Sequence, residues 1–160
     1  MNLIKILYIC THNRCRSILA EAITKHYAAD KILVASAGSV PADFVHPLTL
    51  ASLHRHGIPI AGLHSKSWDE LHGFAPDFVI TVCYNAAAEP CPLWFGNAIV
   101  VHWGLSDPSE LAADKLACLI AFDIIVATLK KRVMLIQDSI LSDIDLTGME
   151  VVLRNLAEEF

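Results

Sequence analysis

Charge is scarce in this chain of 160 residues: 18% of the side chains are Asp, Glu, Lys or Arg, and 54% are apolar. That balance excludes an intrinsically disordered polymer, which combines low hydrophobicity with high charge. Glycine and proline are also few, seven of each. Collagen-like and linker-like chains are thereby excluded. Positive charge is outnumbered, with 12 Lys and Arg against 17 Asp and Glu and a formal net charge of −5. Such a chain does not hold nucleic acid by general electrostatics, so no nucleic-acid partner is expected. No secretory leader is expected either, since Met1-Asn2-Leu3-Ile4-Lys5 has no basic n-region and no small-residue cleavage site. The greasiest run, 116–129, is interrupted by Asp123. As a helix it would span only ~21 Å, short of the ~30 Å hydrocarbon core of a bilayer. It reads as a buried helix of a soluble protein, so no membrane partner and a cytoplasmic location are expected. Finally, no C-x2-C or H-x3-H pair accompanies the eight histidines. Tetrahedral zinc favours those spacings, so no metal is expected.

What remains is enough chain for one domain over residues 1–160, since domains commonly run ~100–200 residues. A core can form without staples at this length. Five cysteines are present: Cys10, Cys15, Cys83, Cys91 and Cys118. The number is odd and no export signal is visible, so reduced thiols with a catalytic or redox role are expected in place of a disulfide framework.

The hydrophobic pattern alternates between strand and helix. Residues 3–9 read as a buried strand. From Ser17, taken as the helix N-terminal residue, Ile18, Leu19, Ala22, Ile23 and Tyr27 fall on one helical face. A second strand is expected over 31–36. Pro47 opens a helix that Gly57 closes. Residues 77–83 give the clearest buried strand, rich in β-branched and aromatic side chains. A loop over 84–96 carries Pro90 and Pro92, and a fourth strand covers 97–103. A turn around Asp107-Pro108 leads into a long helix, roughly 111–141 with room for a break near its start. A last helix covers about 147–158. Strands alternating with helices predict an α/β fold, a parallel four-stranded sheet with helices on both faces. Ligands in such folds sit at the carboxyl ends of the strands. The loop at Cys10, Cys83 and Asp107 all fall at or just past such ends.

The chemistry concentrates in Cys10-Thr11-His12-Asn13-Arg14-Cys15-Arg16-Ser17. This stretch joins a strand to a helix N-terminus, where backbone N–H groups converge and the helix dipole is positive. His12, Arg14 and Arg16 make it basic on an acidic protein. The seven positions Thr11 to Ser17 are candidates to hold an oxyanion, which the planar fork of Arg16 can grip by two oxygens. The same positive field lowers a thiol pKa, which makes Cys10 the candidate nucleophile, with Ser17 positioned to donate to it. Asn13 is placed to brace the loop through side-chain bonds to its backbone. Cys83 ends a strand and Cys91 lies eight residues on in a Pro-flanked loop, a pair suited to disulfide exchange if the loop bends. The plain alternative is a core thiol and an incidental loop thiol. Asp107 is either a general acid or the cap of the helix that follows. Cys118 is expected in the core. The tryptophans 68, 94 and 103 are expected to be packing residues, His54 and His56 to face solvent, and Lys130-Lys131-Arg132 to be a solvated charge run.

The spacing C-x5-R-S near the start, with Asp-Pro much later, resembles the low-molecular-weight protein tyrosine phosphatases. Within that superfamily the chain is more similar to the arsenate reductases that share the fold. Ser36-Ala37-Gly38-Ser39, His64-Ser65-Lys66, the run 76–83 and His102-Trp103-Gly104 add to the likeness, as do Cys83 and Cys91. His12 and Arg14 depart from it, standing where such reductases often carry a small residue and Ser. The resemblance implies reduction of arsenate, with phosphate as a competitor. Cys10 attacks arsenic, Cys83 then attacks Cys10, and Cys91 takes over the disulfide, which thioredoxin reduces. Glutaredoxin with glutathione is the other reductant it allows. It implies no metal or organic cofactor, Asp107 as acid, and Glu21 and Ser36 helping Asn13 to hold the loop. A monomer is expected, since nothing in the sequence suggests an obligate interface. Two alternatives stay open: a phosphotyrosine phosphatase, and a non-catalytic oxyanion-binding or redox-sensing protein.

Overall fold

The computed structural model describes residues 3–88 and 95–159. Strand β1 (Ile4–Ile9) comes first, and its last four residues are buried. Helix α1 (Arg16–Ala28) leads to strand β2 (Ile32–Ala37). Helix α2 (Pro47–Arg55) begins as the sequence predicts, with Pro47 in its first turn and Nδ1 of His46 accepting from the N–H of Leu48 at 3.1 Å. Gly57, at φ 72°, ends it. That left-handed backbone is open to glycine at no steric cost. Strand β3 (Phe78–Thr81), a short helix α3 (Tyr84–Ala88) and strand β4 (Ile99–His102) follow. Helices α4 (Lys115–Leu141) and α5 (Leu146–Glu159) complete the chain.

The sheet is parallel throughout and ordered β2-β1-β3-β4. Parallel neighbours need crossover connections, which the helices supply. Every residue of β3 is buried. A strand whose alternating side chains are all buried must be covered on both faces. Helix α1 packs on β1, β2 and α4, while α5 packs on β4 and α4. The expected four-stranded α/β fold with helices on both faces is the one observed. Among the described residues, no helix is long and apolar enough to cross a membrane.

Three elements differ from the sequence-based expectation. The segment after Cys83 begins as helix α3 before the first proline, where the composition suggested only loop. Helix α4 starts at Lys115, capped by Asp114. The residues before it form a separate 3₁₀ turn, Pro108–Leu111. The basic run of α4 is not a solvated face: Arg132 is 2% exposed, and its guanidinium lies 4.8 Å from the ring centroid of the buried Trp103. Successive helical residues are rotated by about 100°, so three in a row cannot share one face.

The order of strands places the site. β1 is followed in sequence by its neighbour on one side, β2, and pairs on the other side with β3. The crevice beyond the carboxyl ends of β1 and β3 is therefore a switch point, the place where open α/β sheets take ligands. Ile9 pairs with Thr81 across those ends. Cys10 follows directly after β1, and Cys83 stands two residues past the end of β3.

Candidate active site

The loop after β1 is moulded by outward hydrogen bonds from its carbonyls. The oxygen of Thr11 accepts from the N–H of Val40 at 2.9 Å, that of His12 from Ala42 at 2.9 Å, and that of Arg14 from His46 at 3.0 Å. Side chains add to this: Ser65 donates to the His12 oxygen at 2.9 Å and Thr49 to the Arg14 oxygen at 3.2 Å. In a planar trans peptide the N–H points opposite to the C=O. Tying these carbonyls outward therefore turns the N–H groups of His12, Asn13 and Cys15 inward. Asn13 makes the sharp turn at φ 46°, a left-handed conformation that Asn tolerates better than most residues. Gly38 of the neighbouring segment lies hard against the loop, where a Cβ would sit 2.4 Å from the Thr11 oxygen.

At the centre is the thiol of Cys10, 4% exposed, with its sulfur 2.8 Å from the hydroxyl of Ser17. Burial pushes this thiol up from its ordinary value. The hydroxyl of Ser17 and the backbone N–H groups of Ser17 and Asn13 pull it back, while the nearby Cys83 opposes them. The direction is opposite to the lowered thiol expected from the basic loop, because desolvation outweighs these hydrogen bonds. The expected helix cap at Ser17 is corrected as well. Helix α1 starts at Arg16, with Cys15 in the cap position. Ser17 lies inside the first turn, and its hydroxyl serves the thiol.

Behind Ser17 runs a buried polar chain. The amide Nδ2 of Asn13 donates to Ser17 Oγ at 2.8 Å and to Ser36 Oγ at 2.9 Å. Ser36 in turn donates to Glu21 Oε2 at 3.2 Å. Asn13 Oδ1 accepts from the backbone N–H of Lys66 at 2.9 Å.

One small cavity opens over the loop. Cys10, Thr11, His12, Arg14, Cys15, Arg16, Cys83, Asn85 and Asp107 line it. Arg16 donates through Nη1 to the Leu105 oxygen at 3.0 Å and holds Nη2 3.6 Å from Asp107 Oδ2. Asp107 caps the 3₁₀ turn through its other oxygen, which accepts from the N–H and the hydroxyl of Ser109 at 2.9 and 2.6 Å. Both sequence-based roles for Asp107 are thus sterically compatible, one for each oxygen. The sulfur of Cys83 is 3.9 Å from Thr11 Oγ1 and accepts from the N–H of Ala86 at 3.4 Å.

The remaining sequence candidates divide. His12 is exposed and bonds the Val40 oxygen through Nδ1 at 2.9 Å, so it walls the loop. Cys15 is buried, and burial pushes its thiol up to about 12. Cys118 is in the core, donating to the Pro108 oxygen at 3.5 Å. His54 and His56 are both exposed, as expected, and Nε2 of His56 lies 2.8 Å from Asp123 Oδ1. Cys91 and Trp94 lie outside the described residues. Sequence reasoning missed Asn85, which lines the cavity from α3. Its signal was its position, two residues past a cysteine at a strand end.

A family model of the low molecular weight phosphotyrosine protein phosphatases matches residues 5–143. The chain belongs to this family. Among its relatives, an arsenate reductase of Shouchella clausii is 38% identical over 114 residues, which is 69% of this chain and 79% of that protein. A glutaredoxin arsenate reductase of Synechocystis is 35% identical over 104 residues, 65% of this chain and 78% of that protein. A solved arsenate reductase in its phosphate binding state superposes with a TM-score of 0.69 and 28% identity, covering 89% of this chain and all of that one. The thioredoxin-dependent arsenate reductase of Corynebacterium glutamicum superposes at 0.67 with 30% identity. The match covers 89% of this chain but only 64% of that longer protein. This phosphatase-family chain is therefore similar to proteins named for arsenate reduction, over most of its length.

Proposed function

We propose that this protein reduces arsenate to arsenite with its own thiols. The observation that carries the proposal is the second thiol: Cys83 opens onto the same cavity as Cys10. A phosphatase needs one nucleophile there and has no use for a second sulfur.

The oxyanion lies in the cradle of inward N–H groups, gripped by Arg16. The Cys10 thiolate attacks arsenic, and an oxygen leaves as water with the proton that Asp107 supplies. Cys83, as thiolate, then attacks the Cys10 sulfur. The electron pair of the sulfur–arsenic bond goes to arsenic, which leaves as arsenite. Two electrons have moved, and a Cys10–Cys83 disulfide remains. Cys91 attacks Cys83, releases the Cys10 thiolate and leaves a Cys83–Cys91 disulfide. An external dithiol takes that disulfide back to two thiols. Thioredoxin is the proposed donor, supported by the named dependence of the Corynebacterium relative. The Synechocystis relative keeps glutaredoxin as the alternative. The chemistry suits a reducing compartment such as the cytoplasm, and Cys10, Cys15, Cys83 and Cys118 are all free thiols.

The test is NADPH oxidation with thioredoxin and thioredoxin reductase, run with and without arsenate, beside p-nitrophenyl phosphate hydrolysis. Sustained arsenate-dependent NADPH consumption is the expected result. Cys10→Ser should abolish it, and Cys83→Ser should abolish it while sparing any phosphate-ester hydrolysis. Cys91→Ser should permit one turnover and no recycling. Hydrolysis without arsenate turnover in either the thioredoxin or the glutaredoxin system would overturn the proposal in favour of a phosphatase.

A further inference from the structure

Lys66 carries a cation that the mechanism above does not use. It is 7% exposed, and its ammonium lies 3.8 Å from Glu21 Oε2 and donates to the His64 oxygen at 3.0 Å. Burial draws the Lys66 ammonium below its ordinary value, and Glu21 opposes that shift. A buried cation is costly, and an apolar side chain of similar length would fill the space without that cost. The charged groups facing the pair are Lys25 from α1 and Glu70 from the 3₁₀ turn Trp68–Leu71. Lys25 also reaches Glu21, at 3.8 Å, but its side chain is 56% exposed against 9% for Lys66. Solvent screens the former contact far more than the latter.

We propose that Lys66 is a positioning residue for the Cys10 nucleophile, acting through Glu21, Ser36, Asn13 and Ser17. The inference rests on Cys10 being the attacking thiol. Donor and acceptor accounting gives the mechanism. An ammonium only donates and a carboxylate only accepts. Glu21, held by Lys66, takes the hydroxyl proton of Ser36. The lone pairs of Ser36 then face Asn13 and accept one of its N–H bonds. The backbone N–H of Lys66 holds the other end of the same amide, at Oδ1. Lys66 thus fixes the orientation of the Asn13 amide from both sides. With Nδ2 toward Ser17, the Ser17 hydroxyl has one proton left to give, and it goes to the Cys10 sulfur. A flipped amide would present Oδ1 to Ser17, and the proton would turn away from the thiolate. Replacing the Lys66 side chain leaves its backbone bonds to Asn13 and Gly38 in place, so such a variant isolates the ammonium.

The readout is the rate of Cys10 alkylation by iodoacetamide, followed by mass spectrometry of the Cys10 peptide from pH 6 to 10. In Lys66→Met the Cys10 profile should move to higher pH, with the rate at pH 7 falling roughly tenfold, the equivalent of one pKa unit. The Michaelis constant for arsenate should change little while kcat falls, since Arg16 is untouched. Glu21→Gln keeps the shape and removes the charge, and should move the profile in the same direction. The double variant should move it no further than the larger single change. If Lys66→Met does not fold, Glu21→Gln alone decides. An unmoved Cys10 profile in a folded variant overturns the inference, and so do additive shifts. Alkylation needs no arsenate. A profile that shifts in a protein without arsenate turnover would keep Lys66 and reject the reductase, whereas normal turnover with an unmoved profile would do the reverse.

Discussion

Gly38 is glycine because the loop beside it leaves no room for anything else. A Cβ there would stand 2.4 Å from the Thr11 oxygen and 2.8 Å from the Cys10 oxygen. Both are backbone atoms of the anion loop and cannot swing aside as a side-chain tip would. Gly38→Ala should therefore displace the loop itself. The expected outcome is a loss of arsenate turnover of at least about tenfold, since misplaced catalytic groups lose rate steeply. Steady-state kinetics with a thermal melt checks it, and full activity would show that the loop tolerates the shift. At this scale the sequence was most informative where spacing carries chemistry. Cys10, Arg16 and Ser17 were legible because five intervening residues between a strand and a helix leave few other arrangements. Lys66 and Asn85 were not legible in these roles. Each comes to the site from a segment far along the chain, and local pattern holds no trace of that meeting. The direction of the Cys10 shift was hidden for a related reason: burial is a property of the packed core, and the basic residues of the loop suggested only the opposing field.

Among the elements, the 3₁₀ turn Pro108–Leu111 is capped by Asp107, the residue proposed as the acid. Asp107 caps it with one carboxylate oxygen and faces Arg16 with the other. Substitution separates the two roles. Asp107→Asn keeps an acceptor for the Ser109 N–H, as Asn is as good a cap as Asp, and removes the acid. It should lose most of kcat, about a hundredfold on the scale of general acid catalysis, with a melting temperature close to wild type. Asp107→Ala should lose both activity and about 1 kcal/mol of stability. Equal kcat for Asn and wild type would leave Asp107 as a cap alone. The major elements of the fold were legible as types, because β-branched runs and helical periodicity point to one class. Their edges were less so. Pro90 and Pro92 masked the helical turn of Tyr84–Ala88, and the leucine at 111 drew the long helix forward over a turn that Asp114 separates from it.

Over the whole molecule, burial of weak acids sets a limit at alkaline pH. The Cys15 thiol is pushed from 9.0 to about 12 and the Tyr8 phenol from 10.0 to about 12, both chiefly by burial. A group whose folded pKa is raised contributes stability that is intact below its unfolded pKa and lost as pH rises through the folded value. Stability should therefore hold to about pH 9 and then fall, at up to about 1.4 kcal/mol per pH unit for each such group. Urea unfolding under reducing conditions at pH 7.5, 9 and 10.5 measures this. Cys15→Ala should flatten the descent, and a midpoint independent of pH would contradict it.

The outward bonds of the anion loop have one more consequence. The shape of the cradle is kept less by its own residues than by the segment 38–46, which receives the carbonyls of Thr11, His12 and Arg14 at Val40, Ala42 and His46. That segment is the mould and the loop the cast. It has little regular secondary structure of its own, and by appearance it would invite an engineer to insert a tag, shorten a connection or open new termini. Any such edit would leave every reactive group present in the chain and remove what holds them in shape.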